Sequence, residues 1–252
     1  MQRGQRILVA AATALAGAAL LLFVLPSAHP RAPLLARLVA PWHTSACAAN
    51  EARIVEVLRA VHGAQREFVA RRRVDLDRDG LGEFGAIREL LDRAPLRQAA
   101  DGTSPSRSVP RIPSFSLPDV GGFANGPSQL CVYGRDGDPA YCAAVWLPGS
   151  GGRGVRAPAW AIDPFTAAVD ADLAEKRWCA YAWPFHYGRT GWRTFFIDQD
   201  GELLGTDEPG YGDFRVAPRA GSAYSDGGID SIVGRAAADV DGQDGNAWTR
   251  VR

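Results

Sequence analysis

Residues 50–92 constrain this chain more than any other stretch. They read NEARIVEVLRAVHGAQREFVARRRVDLDRDGLGEFGAIRELLDR. Ile54, Val57, Leu58, Val61, Ala64 and Phe68 fall at helical spacing on one stripe, the pattern of a helix that buries one side. Glu51, Arg53, Glu56, Arg59, Arg66 and Glu67 take the other faces. Ser45 or Asn50 is placed to cap the start, because a short side-chain oxygen accepts a first-turn N–H. The helix runs into an aspartate-glycine loop. A second helix over 83–93 follows, with Phe84, Ile87, Leu90 and Leu91 on one side, packed back on the first.

The loop carries Asp75, Asp77 and Asp79 at alternate positions, then Gly80. Hard cations need several oxygens converging on one point, and the glycine permits the sharp turn, so the first half matches a calcium loop. Glu83 stands at the ninth position. The twelfth is Ala86, where an EF-hand supplies its bidentate glutamate, and Glu89 substitutes only in a longer loop. Asp75, Asp77, Asp79 and Glu83 are therefore the candidate calcium ligands. The competing reading is a solvated turn at Asp79-Gly80, with Glu83 favouring the next helix N-terminus.

Upstream, residues 7–25 are uncharged and nearly all apolar, and Arg3 and Arg6 precede them. That length spans a bilayer as a helix, and the arginines hold the N-terminus in the cytoplasm. Residues 1–28 are thus a transmembrane anchor in contact with membrane lipid, or a signal segment cleaved near Ser27-Ala28. The chain is expected in the cytoplasmic membrane as a single-pass protein with its domain outside the cytoplasm; the alternative is secretion. Prolines 26, 30, 33 and 41 make 29–45 a linker. The acidic and basic residues balance at 28 each, so no global charge argues for nucleic acid.

Beyond 92, Pro-rich residues 95–128 read as an extended loop or linker. Residues 129–147 read as a hairpin turning at Asp136-Gly137. That register pairs 135 with 138, 133 with 140, and 131 with 142. It sets Cys131 opposite Cys142 at a separation of about 5.5 Å, within disulfide reach. An even cysteine count beyond a membrane segment fits disulfides, and Cys47 with Cys179 is the leftover pair. The sequence GSGGRG at 149–154 lacks the strand-and-helix context of a nucleotide loop and reads as flexible. A short helix is expected over 164–177, with Phe165, Val169 and Leu173 on one face. Strands follow at WCAYAWPFHY, WRTFFIDQ and 202–206, in antiparallel order. From 207 to 252 the chain is Gly- and Asp-rich and reads as a frayed tail.

The stretch Asn50-Glu51-Ala52 through Leu58-Arg59, with Ala64-Gln65 and Phe68, resembles the helix of type IV pilin-like and pseudopilin-like proteins. The loop 77–85 is similar to one in uncharacterised bacterial relatives of these. Ala182-Trp183-Pro184, Tyr187 to Gly191, Arg193, Phe195, Asp198 and Gly201 resemble their sheet hairpin. The resemblance implies an α+β fold: an N-terminal membrane helix, then a long helix packed on an antiparallel meander over 46–206. It also implies other envelope or pilus-system proteins as partners. The chain departs from the pilin pattern at Gln5 and Val9, and its prolines interrupt the continuous assembly helix.

These features point to a non-enzymatic, membrane-anchored extracytoplasmic protein with a structural or interaction role. The four histidines are scattered, and Ser150 lies outside any nucleophile context. The alternative is a secreted or tethered, calcium-stabilised module that holds cell-wall polymer on exposed tryptophans, with Trp160, Trp178, Trp183 and Trp192 as the candidates. Tryptophan is also ordinary core material.

Overall fold

The computed structural model describes residues 41–91, 96–97, 120–121, 130–134, 137–157, 163–212 and 216–252, with only the backbone of 41–44, 120–121 and 163–164. The apolar run 7–25, most of the 95–128 stretch and Trp160 lie outside these residues. Among the described residues no helix is long and apolar enough to cross a membrane.

The apolar stripe forms a helix, α1, that spans Pro41–Ala70. It starts earlier than the capping signals suggested. Ser45 and Asn50 therefore sit inside the helix rather than at its cap, and 41–45 is helical rather than linker. Asn50 instead donates to the Thr190 carbonyl at 3.0 Å. The helix ends without glycine. Arg72 takes a left-handed φ of 48°, Arg73 N–H donates to Phe68 O and Arg72 N–H to Val69 O, which is the Schellman arrangement.

The stripe packs on one face of an antiparallel sheet. Its strands are β1 (Val120–Gly121), β2 (Leu130–Tyr133), β3 (Pro139–Pro148), β4 (Gly154–Val155), β5 (Cys179–Pro184), β6 (Thr194–Asp198), β7 (Leu203–Thr206), β8 (Val240–Asp241) and β9 (Ala247–Arg250). Their order is β1-β2-β3-β5-β6-β7-β9-β8, with β4 paired to β3 off this path. The chain is thus α+β, with the expected meander at β5-β6-β7. Ile54, Leu58, Val61 and Phe68 meet Ala143, Val145, Ala180, Ala182, Phe195 and Ile197 in one core.

Strand residues alternate, so the opposite face carries Cys142, Ala144, Trp146, Tyr181, Trp183 and Phe196. Residues 207–252 cover it. Tyr224, Ile232 and Trp248 are fully buried against it, and β9 extends the sheet beyond β7. The C-terminal region is a second packing layer and not a frayed tail. It lacks helical or strand periodicity because it is held by turns and by Tyr181, whose hydroxyl donates to Ala220 O and accepts from Ala223 N–H, both at 2.9 Å.

Three local expectations are corrected. The 83–93 helix is one turn, α2, over Ile87–Leu90, because Glu83 is drawn into a buried ion pair and Ala86 is extended. The 164–177 helix is two pieces, α3 (Asp163–Ala168) and α4 (Ala171–Ala174). Between them Val169 bridges Gly149, and Asp170 accepts from Leu173 N–H to cap the second piece. The loop 149–154 is not flexible: Ile232 N–H donates to Gly152 O and Gly154 N–H to Asp230 O. A side chain at Gly154 would lie 2.3 Å from Ala220 Cβ.

Candidate functional site

The acidic loop is built by two left-handed residues, Arg78 (φ 64°) and Gly80 (φ 90°). Asp79 N–H donates to Asp77 Oδ1 at 3.3 Å and Leu81 N–H to Asp79 Oδ1 at 2.7 Å. These turns bring Asp75, Asp77 and Asp79 together, with one oxygen of each lying within 4.8 Å of the others. That is twice a Ca–O distance of roughly 2.4 Å. The α4 segment brings a second group. Oxygens of Asp77, Asp172 and Glu175 also lie within 4.8 Å of one another, so two groups of three carboxylates, from two parts of the chain, share Asp77. Asp75 Oδ1 and Glu175 Oε1 are buried without a hydrogen-bond partner. Desolvation, then the charges of Asp79 and Asp77, holds the Glu175 carboxyl above the usual range. Oxygen-only donors with two orphaned buried oxygens fit a hard cation such as calcium.

Glu83 is not brought to this group. It is fully buried. One oxygen accepts from Leu76 N–H at 2.7 Å and the other pairs with Arg97 at 2.9 Å. Arg97 also holds Glu89 at 3.1 Å. Burial raises the Glu83 pKa, and Arg97 only partly offsets it. Glu83 thus fastens the base of the loop to the core. Sequence spacing had made it a ligand, while Asp172 and Glu175, nearly a hundred residues away in the chain, carried no signal of proximity. Glu89 is likewise not a ligand: its Oε2 accepts from Ala86 N–H at 2.7 Å.

The β2–β3 register places Cys131 opposite Cys142, as expected. Nearer the turn it shifts at Val132/Tyr133, so Tyr133 meets Pro139 rather than residue 140. The four cysteines are all buried, and none is joined to another in this structure.

The tryptophans whose side chains are described offer no exposed sugar platform. Trp178, Trp183 and Trp248 are fully buried, and Trp146 and Trp192 are buried too. Trp146 and Trp183 lie on central strands whose two faces are both covered, which leaves their rings inside the layers.

A groove of about 500 Å³ lies between the β6–β7 turn and the 226–238 segment, lined by Asp198, Arg177, Asp226, Arg235 and Arg250 among others. Its walls carry their own ion pairs, Arg235 with Asp226 at 3.0 Å and Arg250 with Glu202 at 2.8 Å. Neither His62 nor His186 lines it.

Comparison with known proteins finds no matching family model, curated protein or solved structure. The fold and the site define an α+β domain with a two-sided antiparallel sheet and an acidic loop.

Proposed function

We propose that this chain is a non-enzymatic, membrane-tethered extracytoplasmic domain of pilin-like build with a structural or interaction role, in which a calcium ion clamps the 75–80 loop to α4. The observation that carries the clamp is that the groups Asp75/Asp77/Asp79 and Asp77/Asp172/Glu175 share Asp77, with buried unpartnered oxygens on Asp75 and Glu175. Like charges at this spacing repel, and a divalent ion converts that repulsion into a bond between two distant segments. Helix α1 against an antiparallel meander supports the pilin-like part of the reading. The run 7–25 supplies the tether, and envelope proteins the partners.

The test is thermal unfolding of the purified chain after chelation, with calcium then added back. The expected result is a rise in Tm with saturable calcium dependence, lost in the Asp77→Ala variant. An unchanged Tm up to millimolar calcium would count against the clamp. Recovery of the protein in the soluble cytosolic fraction would count against the tether.

A further inference from the structure

We infer that Cys131 and Cys142 form a disulfide that pins the β2–β3 hairpin, and that Cys47 and Cys179 stay as thiols. This reading stands independently of the calcium clamp.

The two residues are direct partners in an antiparallel ladder, so their side chains leave the same face of the sheet. Both belong to the cluster beneath the C-terminal layer and are fully buried. Opposed Cα atoms in such a ladder are about 4.5 or 5.5 Å apart, according to the hydrogen-bonding of the pair. Both values fall inside the range of roughly 4.4–6.8 Å that a disulfide spans.

The other pairings are excluded by position. Cys179 shares this face, but it sits opposite Trp146. That is four residues along β3 from Cys142, roughly 13 Å at strand rise. Cys47 lies on α1, where its thiol donates to Arg189 O at 3.2 Å, and α1 packs on the other face of the sheet. The sheet therefore separates Cys47 from Cys179. Burial also pushes the Cys179 thiol well above its ordinary pKa, which suppresses the thiolate that exchange requires.

The oxidant is a disulfide-bearing thiol reagent or carrier. One cysteine thiolate attacks its S–S bond and releases one thiol. The second cysteine then attacks the mixed disulfide and releases the other. One S–S bond forms, one breaks, and the two cysteine protons end on the two released thiols. Because the C-terminal layer seals the pair, closure of the bond belongs to folding rather than to the finished domain.

The experiment unfolds the full chain with reductant, refolds it in a glutathione redox buffer containing detergent, and alkylates it in denaturant. The expected result is two labels, on Cys47 and Cys179, and a linked peptide pair containing Cys131 and Cys142. Reduction before alkylation should raise the count to four. The Cys179→Ser variant should keep the link, and Cys142→Ser should lose it. Four labels without reduction, or a link through Cys47 or Cys179, would overturn the inference.

Discussion

Gln65 and Gly85 are joined by two reciprocal hydrogen bonds. Gln65 Nε2 donates to Gly85 O and Gly85 N–H donates to Gln65 Oε1, both at 2.8 Å. A side-chain amide on α1 thus serves the segment after the acidic loop as a strand neighbour would. Gly85 allows the approach: a Cβ there would meet Leu90 Cδ2 and Phe68 Cζ at 3.1 Å. Both groups are buried. Gln65→Leu would leave a backbone N–H and C=O buried and unpaired, so a loss of about 2–4 kcal/mol is expected. Chemical denaturation measures it, and a loss under 1 kcal/mol would show that water replaces the amide.

Arg97 is the only cation on two buried carboxylates among the described residues, at 2.9 Å from Glu83 and 3.1 Å from Glu89. Removing one partner of a buried pair costs about 3–5 kcal/mol, so Arg97→Met should approach unfolding at neutral pH. The Glu83 carboxyl already titrates above its ordinary value. A raised carboxyl favours the folded state below its unfolded pKa, and this advantage is lost as pH rises through the folded pKa. The variant should therefore recover stability on acidification more strongly than the parent. An equal deficit at pH 4.5 and 7.5 would argue against this origin.

Asp198 gives a second titration. It is 3% exposed, its Oδ1 accepts from Asp200 and Glu202 N–H at 3.0 and 3.1 Å, and burial raises its pKa to about 6. The sign is the same: its favourable contribution is complete below about pH 4 and is lost as pH rises through about 6. Asp198→Asn keeps an acceptor for both amides and removes the charge. It should stabilise the domain at pH 7.5 by about 1–3 kcal/mol and have little effect at pH 4. Urea midpoints at the two pH values decide this.

Asp77 belongs to both carboxylate groups. Asp77→Asn should therefore raise stability in chelator, where it relieves repulsion, and blunt the stabilisation by added calcium. Melts with and without calcium separate the two effects. A variant that keeps the full calcium response would place the ion elsewhere.

The helix and the β5–β7 meander were legible in the sequence because each rests on local periodicity; the Cys131–Cys142 register agrees only because the shift at Val132/Tyr133 offsets a pairing near the turn that is one residue from the expected one. The Glu83 role was not legible, because its partner Arg97 lies within a stretch with no period. Glu51 lies off the apolar stripe, yet it is buried, accepting from Trp192 N–H at 2.8 Å and pairing with Arg193 at 2.9 Å. Nothing local marks a contact so far along the chain. The second packing layer did leave a trace. CAYAWP and TFFID are apolar on both faces, whereas a sheet with one wet face alternates with polar residues. That pattern requires a cover, and residues 207–252 supply it.

The cover makes the last prediction the most direct. Truncation after Thr206 removes Tyr224, Ile232 and Trp248, which pack on Trp146, Tyr181, Trp183 and Phe196. It also strips β9 from β7. The uncovered face would be a contiguous aromatic surface beside an unpaired strand edge, a combination that drives aggregation. Tyr181 would also lose both partners of its hydroxyl. The truncated chain is expected to aggregate or to melt without cooperativity. In the intact chain, residues 216–252 should resist limited proteolysis despite their irregular backbone. A soluble, monomeric and cooperatively melting truncation would mean that the α1-covered face alone sustains the fold.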